Sequence, residues 1–432
     1  VSAPPSPPSP PRGTHRRTPA ASPAGSSPTS RTRHIAALDG LRGVAVLGVL
    51  LFHAGCFAGG FLGVDLFFVL SGFLITGLLL KEARATRETA GRIRLAAFWG
   101  RRARRLSPAL IVMVAGTLLL TWACGGGPVR RQALKDAPWV VANLANWHFI
   151  ADQAGYWQAS ATQVFSHLWS IAVEEQFYLV WPLFLVLLVR GGGNSERAER
   201  RVAAVAAAGA ALSLGLMLVL RDPVDSTRVY EGTDTRAFSL LLGSLAATTP
   251  VARLLGRLGD RMLGRCALIL GCALAVYWFT ADGQKTPGLF QGGLFLHALT
   301  AALLIACLAH APRGPLGRAL AAPPLRGLGV LSYSLYLWHW PVYVLLSEDR
   351  LGLTGWCRTA VLLAVSLAAA WLSKVLVEDP VRFRAGWAHG RTGAAAFLAA
   401  LLALTALWIL LPWPELGAGS VDLTQLTAAD SR

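Results

Sequence analysis

Charge is scarce in this 432-residue chain: 15% of its residues are Asp, Glu, Lys or Arg, where a soluble protein carries about 25%. With 54% hydrophobic residues it is too apolar to be water-soluble throughout, and composition excludes a disordered, collagenous or disulfide-stapled chain for most of its length. The six cysteines, Cys56, Cys124, Cys266, Cys272, Cys307 and Cys357, form no CxxC or CxxH pair, which argues against a zinc site and a disulfide framework. There is no Walker motif, no HExxH, no GxSxG and no GxGxxG opening a helix after a strand. Nothing therefore points to a nucleotide hydrolase, a serine hydrolase or a metal centre. Acid is scarcer than base: 23 Asp and Glu stand against 40 Lys and Arg, 36 of them Arg, for a net charge of +17. A basic balance suits nucleic acid. Here, however, the basic residues fall between apolar runs, as the positive-inside rule predicts for a membrane protein.

Apolar runs long enough to cross a bilayer, which takes about 20 residues, are abundant. They lie at roughly 36–56, 61–80, 106–123, 167–189, 202–220, 236–250, 266–280, 291–309, 327–346, 357–377 and 393–413, the sixth and seventh being short. Residues 1–33, rich in Pro, Ser, Thr and Arg, read as a disordered cytoplasmic tail. No cleavage-site pattern makes that tail a plain signal peptide. Residues 34–413 form the membrane domain, and 414–432 a short extracytoplasmic tail. With the N-terminus in the cytoplasm, all five inner loops are Arg-rich, and 81–105 holds nine Lys and Arg against two Glu. Most outer loops are acidic or mixed. The exception is 124–166, whose Trp139, Trp147, Tyr156 and Trp157 suit the bilayer surface. The expected fold is all-α: a polytopic integral membrane helical bundle of about 10–11 transmembrane helices, N-in.

Charged residues inside spans are costly and mark function. The first span reads HIAALDGLRGVAVLGVLLFHAG. Arg42 and His53 are eleven residues apart, about 1100° of helix, so they share a face about 16 Å apart along the axis. Asp39 lies on the same side, three before Arg42. Snorkelling of Arg42 to the inner headgroups and a structural hydrogen bond for His53 are the bland alternatives. The second span, FLGVDLFFVLSGFLIT, enters after a very short loop and brings Asp65 to the depth of His53, where a carboxylate would hold the imidazole. The alternative is an ordinary first-turn acid. Ser71 and Gly72 lie deeper and suit close helix packing. Arg101, Arg102, Arg104 and Arg105 precede the third span; they suit phosphates or report topology alone. Pro108 reads as the start of that helix. In the fourth span, SHLWSIAVEEQFYLVWPL, residues His167, Glu174 and Trp181 recur every seven, and Tyr178 follows Glu174 by four. His339 sits between two tryptophans in LSYSLYLWHWPV, which an aromatic belt also explains. Glu378 and Arg382 in VEDPVRF read as a helix-end pair or as part of the site.

Taken in order, LDGLRGVAVLGVLLFH, GVDLFFVLSGFLIT, FWGRRARRLSP, HLWSIAVEEQFYLVWP, LSYSLYLWHWPV and VEDPVRF resemble the acyltransferase-3 family of bacterial membrane O-acyltransferases, over roughly residues 34–385. The resemblance implies a multi-pass enzyme of the bacterial inner membrane. It takes an acyl group, most often acetyl, from acyl-CoA and gives it to a hydroxyl on a glycan, glycolipid or macrolide. No bound cofactor is implied; acyl-CoA is a substrate. By match of motif His53 is the catalytic histidine and Arg42 its partner. The Arg101, Arg102, Arg104 and Arg105 cluster meets the donor, and Glu174 lines the site. Asp65 is expected to support His53, while Asp39, Ser71, Trp169, Ser170, Tyr178 and His339 are expected to contact substrate. Many relatives carry an extracytoplasmic SGNH hydrolase-like domain; the tail here is too short for one, so a separate partner protein would supply it if it is needed.

The chemistry fits acyl transfer. A hydroxyl needs a base near its proton, and a neutral imidazole suits that task. His53 would act as that base or be transiently acylated itself. The thioester carbonyl needs donors as it gains charge, which Arg42, Ser170 or Tyr178 could supply. A proton-coupled transporter or flippase using the same His and Glu residues is the rival reading, and a non-enzymatic scaffold leaves the polar stripe unexplained.

Overall fold

Apolar runs of 18 residues or more become helices because no water is present in the hydrocarbon core to satisfy backbone amides and carbonyls otherwise. The computed structural model describes residues 1–3, 35–88, 93–153, 155, 157, 162–190, 195–286 and 288–414. Tyr156, nearly all of the expected N-terminal tail and the C-terminal tail after Pro414 lie outside the described residues. Residues 1–34 and 35–432 are separate units. Of the first only the exposed Val1–Ala3 is described; all that follows concerns the second, which contains no strand among its described residues.

The helices are α1 (Ala36–His53), α2 (Leu62–Glu88), α3 (Leu95–Cys124), α4 (Gly127–Val141), α5 (Ala145–Ala151), α6 (Trp169–Arg190) and α7 (Ser195–Val219). There follow α8 (Thr227–Glu231), α9 (Thr233–Ala246), α10 (Thr249–Gly256), α11 (Asp260–Thr280), α12 (Gly293–His310) and α13 (Pro315–Leu320). The last are α14 (Pro323–Leu345), α15 (Glu348–Leu351), α16 (Gly355–Ser373) and α17 (Gly390–Leu410). Among the described residues nine helices are long and apolar enough to cross a membrane, and α8–α9 with α10, bent by 59°, make a tenth candidate. The chain is a polytopic helical membrane protein. The short sixth apolar run is this broken element, whereas the seventh is a full 21-residue helix, α11. At 23 residues α14 is also long enough to span. It falls short only in apolarity, because it carries Ser332, Tyr333, Ser334, Tyr336 and His339.

Two expectations change here. The third helix starts at Leu95, with Pro108 well inside it. The Arg cluster is therefore part of the helix, ordered by its hydrogen bonds rather than held on a loop. Over 30 residues α3 is about 45 Å long, so its first turns reach past the hydrocarbon core. The described residues of segment 124–166 are mostly helical: α4 and α5 carry the exposed Trp139 and Trp147. Gln176 of α6 ties them down by donating to Asn143 O at 2.8 Å and Asn146 Oδ1 at 3.0 Å.

Glycines set the central contact. A Cβ on Gly40 would lie 1.7 Å from Leu320 O, on Gly43 2.1 Å from Leu325 O, and on Gly329 1.8 Å from Asp39 O. Only hydrogen at these positions lets α1 approach α13, at Leu320, and α14, at Leu325 and Gly329, backbone to backbone. Gly72 seats α2 on α9 in the same way: its Cβ would lie 1.8 Å from Leu240 O. These contacts bring the polar face of α1 against that of α14.

Candidate active site

Two rungs join α1 to α14. Arg42 Nη2 donates to Ser332 Oγ at 2.9 Å, and His53 Nδ1 lies 2.9 Å from His339 Nε2. Ser332, Tyr336 and His339 follow one another at i, i+4 and i+7, one face of a helix. Arg42 and His53 occupy the matching face of α1, as their spacing predicts.

The hydrogen bonds fix the tautomers. His339 Nδ1 lies 2.6 Å from Tyr336 O, and a carbonyl only accepts, so Nδ1 carries the proton. Neutral His339 then accepts at Nε2, so His53 donates from Nδ1 and its lone pair is on Nε2. His167 Nε2 donates to Leu337 O at 3.1 Å, and the His167 ring stands edge-on to His339 with centroids 5.3 Å apart. Tyr336 gives its hydroxyl proton to His167 O at 2.9 Å, and so accepts from Ser170 Oγ at 2.7 Å. Trp340 covers the other side of His53, centroids 4.7 Å apart.

Toward the Arg-rich end, α1, α2, α3, α6 and α14 enclose a cavity of about 100 Å³. Arg42, Arg102 and Arg105 face it together with Glu174 and Glu175. Ser71, Tyr178, Tyr333 and Tyr336 supply hydroxyls around its wall. Ser71 Oγ and Tyr178 OH donate to Glu174 at 3.0 and 2.8 Å. The Arg102 guanidinium lies over the Tyr178 ring, 3.8 Å from its centroid, a cation–π contact. Trp99 Nε1 donates to Tyr178 O at 3.0 Å and holds α3 to α6. Three guanidinium groups against two carboxyl groups suit an anion.

The Arg cluster divides. At 100° per residue Arg102 and Arg105 fall on one side of α3, on the cavity. Arg101 and Arg104 face a groove between α3 and α17, and Arg101 pairs with Glu82 at 3.3 Å. They do not line the cavity with the other two.

The expected Asp65–His53 pair gives way to another. Asp65 Oδ1 accepts from Arg236 Nη2 at 3.0 Å and from Ser239 Oγ, and Oδ2 meets His297 Nδ1 at 2.6 Å. Trp278 Nε1 donates to His297 Nε2 at 2.9 Å. With α9 and α12 packed against α2, a guanidinium and an imidazole reach Asp65 from that side and take both of its oxygens. Trp169 also lies off the cavity, wholly buried with its ring 5.9 Å from Phe68 and 4.9 Å from Tyr230. Asp39 serves α1–α14 packing through its carbonyl on Gly329. Glu378 is buried and accepts from Ser334 Oγ, where α16 continues into π-helical turns at Lys374–Glu378 and Pro380–Arg384.

Sequence reading missed Ser332 and Tyr336, although their spacing to His339 was available, and the Arg236–Ser239–His297 set around Asp65. At the His53 end of α1 a second cavity of about 420 Å³ is ringed by Trp157, Asp222, Gln284 and Gln291. Trp157 meets Phe52, the neighbour of His53, edge to face at 6.0 Å. Among the described residues no three His, Cys, Asp or Glu side chains are placed to hold a metal.

Comparison with known proteins gives this geometry a family. The model of the acyltransferase-3 family, described as an acyltransferase domain, matches residues 35–375. YrhL of Bacillus subtilis is 38% identical over 365 residues, 82% of this chain and 56% of YrhL. The peptidoglycan O-acetyltransferase OatA of Listeria monocytogenes is 35% identical over 363 residues, 81% of this chain and 56% of that protein. The O-acetyltransferase OatA of Staphylococcus aureus is 33% identical over 359 residues, 81% and 57% respectively. The chain thus spans a little over half the length of these curated relatives. No solved structure matches it. A six-motif match in order, a helical membrane bundle and a family model covering most of the chain lead to one assignment: the protein belongs to the acyltransferase-3 family.

Proposed function

We propose that the chain is a membrane O-acyltransferase that moves an acyl group, acetyl in the first instance, from cytoplasmic acyl-CoA to a hydroxyl of an envelope glycan at the bacterial inner membrane. One observation carries this reading. A single helix, α1, holds Arg42 at an anion-suited cavity on the Arg-rich side and His53, with its basic nitrogen defined, toward the other end. Acyl-CoA is a polyanion that does not cross a bilayer. Its phosphates fit Arg102 and Arg105 at the Arg-rich mouth, and its thioester arm extends along the stripe toward His53.

The acceptor oxygen attacks the thioester carbonyl while His53 Nε2 takes the hydroxyl proton. Collapse of the tetrahedral intermediate breaks the carbon–sulfur bond, and the same proton leaves with the thiol. A proton moving onto His53 is stabilised through the Nδ1–His339–Tyr336 carbonyl chain, which keeps the ring from turning. The Listeria relative, a peptidoglycan O-acetyltransferase, and the Bacillus relative, a putative one, favour a glycan over a macrolide. So does the second cavity with its Trp157 face and amide and carboxylate rim, a composition suited to sugars.

The test is the full chain in liposomes with labelled acetyl-CoA and cell-wall oligosaccharide, alongside mass spectrometry of envelope glycans and secreted metabolites from cells with and without the gene. Alkali-labile label on the sugar and a lost acetyl mass on the glycan are expected. An unchanged glycan with a changed macrolide overturns the acceptor. Solute transport with no donor turnover overturns the enzyme.

A further inference from the structure

The half of the Arg cluster that turns away from the cavity faces a different space. Between α3 and α17 lies a groove of about 880 Å³. One wall is α3 around Gly100, Ala103 and Val112; the other is α17 around Gly393, Ala396 and Ala400. The second wall lies beyond residue 375, where the match to the family ends. At the far end Trp408 Nε1 donates to Leu134 O at 2.8 Å, which ties α17 to α4. Leu404 is the buried residue of α17, and the helix is otherwise largely uncovered. That tie lies at one end of α17, and the basic residues gather at the other end of the groove.

We infer that this groove holds one anionic phospholipid of the inner leaflet, with its phosphate at Arg94 and Arg104 and an acyl chain along the apolar walls. Depth supports it. From Arg104 to Val112 the helix rises about 12 Å, and from Gly390 to Ala400 about 15 Å. A single leaflet of hydrocarbon is about 15 Å, half of the ~30 Å core. Charge supports it as well. Arg94, Arg101 and Arg104 all line the basic end. Glu82 holds Arg101 at 3.3 Å, so Arg94 and Arg104 carry the remaining attraction for a phosphate. Small side chains on both walls leave room for a chain, and among the described residues no carboxylate lines the groove; the adjacent Glu82 is engaged by Arg101 and by the Arg94 backbone N–H at 3.1 Å. Arg102 and Arg105 point to the opposite side, so lipid and donor occupy separate sites on one helix.

The experiment reconstitutes the full chain in nanodiscs of equal phosphatidylglycerol and phosphatidylcholine, extracts it in mild detergent, and measures retained lipid by mass spectrometry. Wild type should retain phosphatidylglycerol over phosphatidylcholine about thirtyfold, as two guanidinium contacts imply. Arg94→Gln with Arg104→Gln should erase the preference. Ala396→Trp should lose both lipids while keeping the arginines. Equal retention of the two lipids by wild type, or an undiminished preference in the double Gln variant, overturns the site. Displacement of phosphatidylglycerol by added acyl-CoA in wild type overturns it too, because the groove would then belong to the donor.

Discussion

Asp65 and Glu174 are both carboxyl groups inside helices of a membrane protein, and their surroundings differ in kind. Asp65 spends both oxygens on Arg236, Ser239 and His297, and none of these four residues lines the cavity that Glu174 borders. Rings of Tyr230, Phe238 and Phe68 surround the Arg236 guanidinium at 5.1–5.8 Å. Among the described residues Glu174 receives hydroxyls, from Ser71 and Tyr178, and it borders open volume shared with three arginines. A carboxylate whose two oxygens are both taken by side chains of neighbouring helices holds those helices together. A carboxyl group that shares an opening with three guanidinium groups is placed to meet a ligand. Intramembrane charge by itself does not separate the two; the presence of space does.

The comparison breaks most sharply at His53. His53→Ala should lower kcat by about 10²–10⁴-fold, the usual share of general base catalysis, with membrane insertion and thermal stability intact. Asp65→Asn should do the reverse. Leaving Arg236 buried without its carboxylate costs about 3–5 kcal/mol, read as a fall in Tm of the detergent-solubilised chain. The acidic limb of its pH–rate profile should stay where wild type has it, because Asp65 does not touch His53. A displaced limb with unchanged Tm would return Asp65 to the catalytic group.

Sequence alone carried the features that lie within one helix. Apolar length gave the spans, because each helix satisfies its own backbone. The eleven-residue gap from Arg42 to His53 gave the stripe, because helical phase is local. Features that depend on packing were out of reach. Arg236 and His297 are 171 and 232 residues from Asp65, and Ser332 is 290 from Arg42. Very short loops bring helix ends together but do not say which neighbour a side chain faces, so Asp65 was assigned to the wrong histidine. Pro108 misled because the first turn is its commonest place in a helix, and here it lies within α3.

The cavity side sharpens with its cations. Arg102→Gln combined with Arg105→Gln should raise KM for acyl-CoA about a hundredfold, each lost charged hydrogen bond being worth about 1.5–3 kcal/mol. kcat should change little, since phosphate contacts persist through the reaction. Titration of donor binding checks it; unaltered affinity would leave the two arginines as a topology signal. His339→Phe keeps the ring stack and removes the acceptor for His53 Nδ1. It should cut kcat by about tenfold to a hundredfold, a loss on the scale of misplacing a catalytic group. KM for the donor should not move.

The smallest effect concerns a third buried carboxyl group, outside the spans, that has neither the saturation of Asp65 nor the opening beside Glu174. Asp136 of α4 is wholly buried, accepts from Gln132 at 2.9 Å and meets His148 Nε2 at 3.0 Å through Oδ1, and has no partner on Oδ2. Burial pushes its carboxyl above the usual carboxylate range, against the pull of the His148 hydrogen bond. In the folded protein it therefore keeps a proton that the unfolded chain releases from about pH 4 upward. Its contribution to stability is fullest below that point and declines as pH rises through the raised value. Asp136→Asn cannot release that proton. The variant should lose the part of the pH dependence of Tm that begins near pH 4 and, at pH 7, match or slightly exceed wild type, by less than about 1 kcal/mol, the scale of one neutral hydrogen bond. Scans of Tm from pH 4 to 7 decide the matter. A variant that is less stable at pH 7 than at pH 4 relative to wild type would mean that the ionised Asp136–His148 pair, like Asp65 with Arg236, holds its helices together by charge.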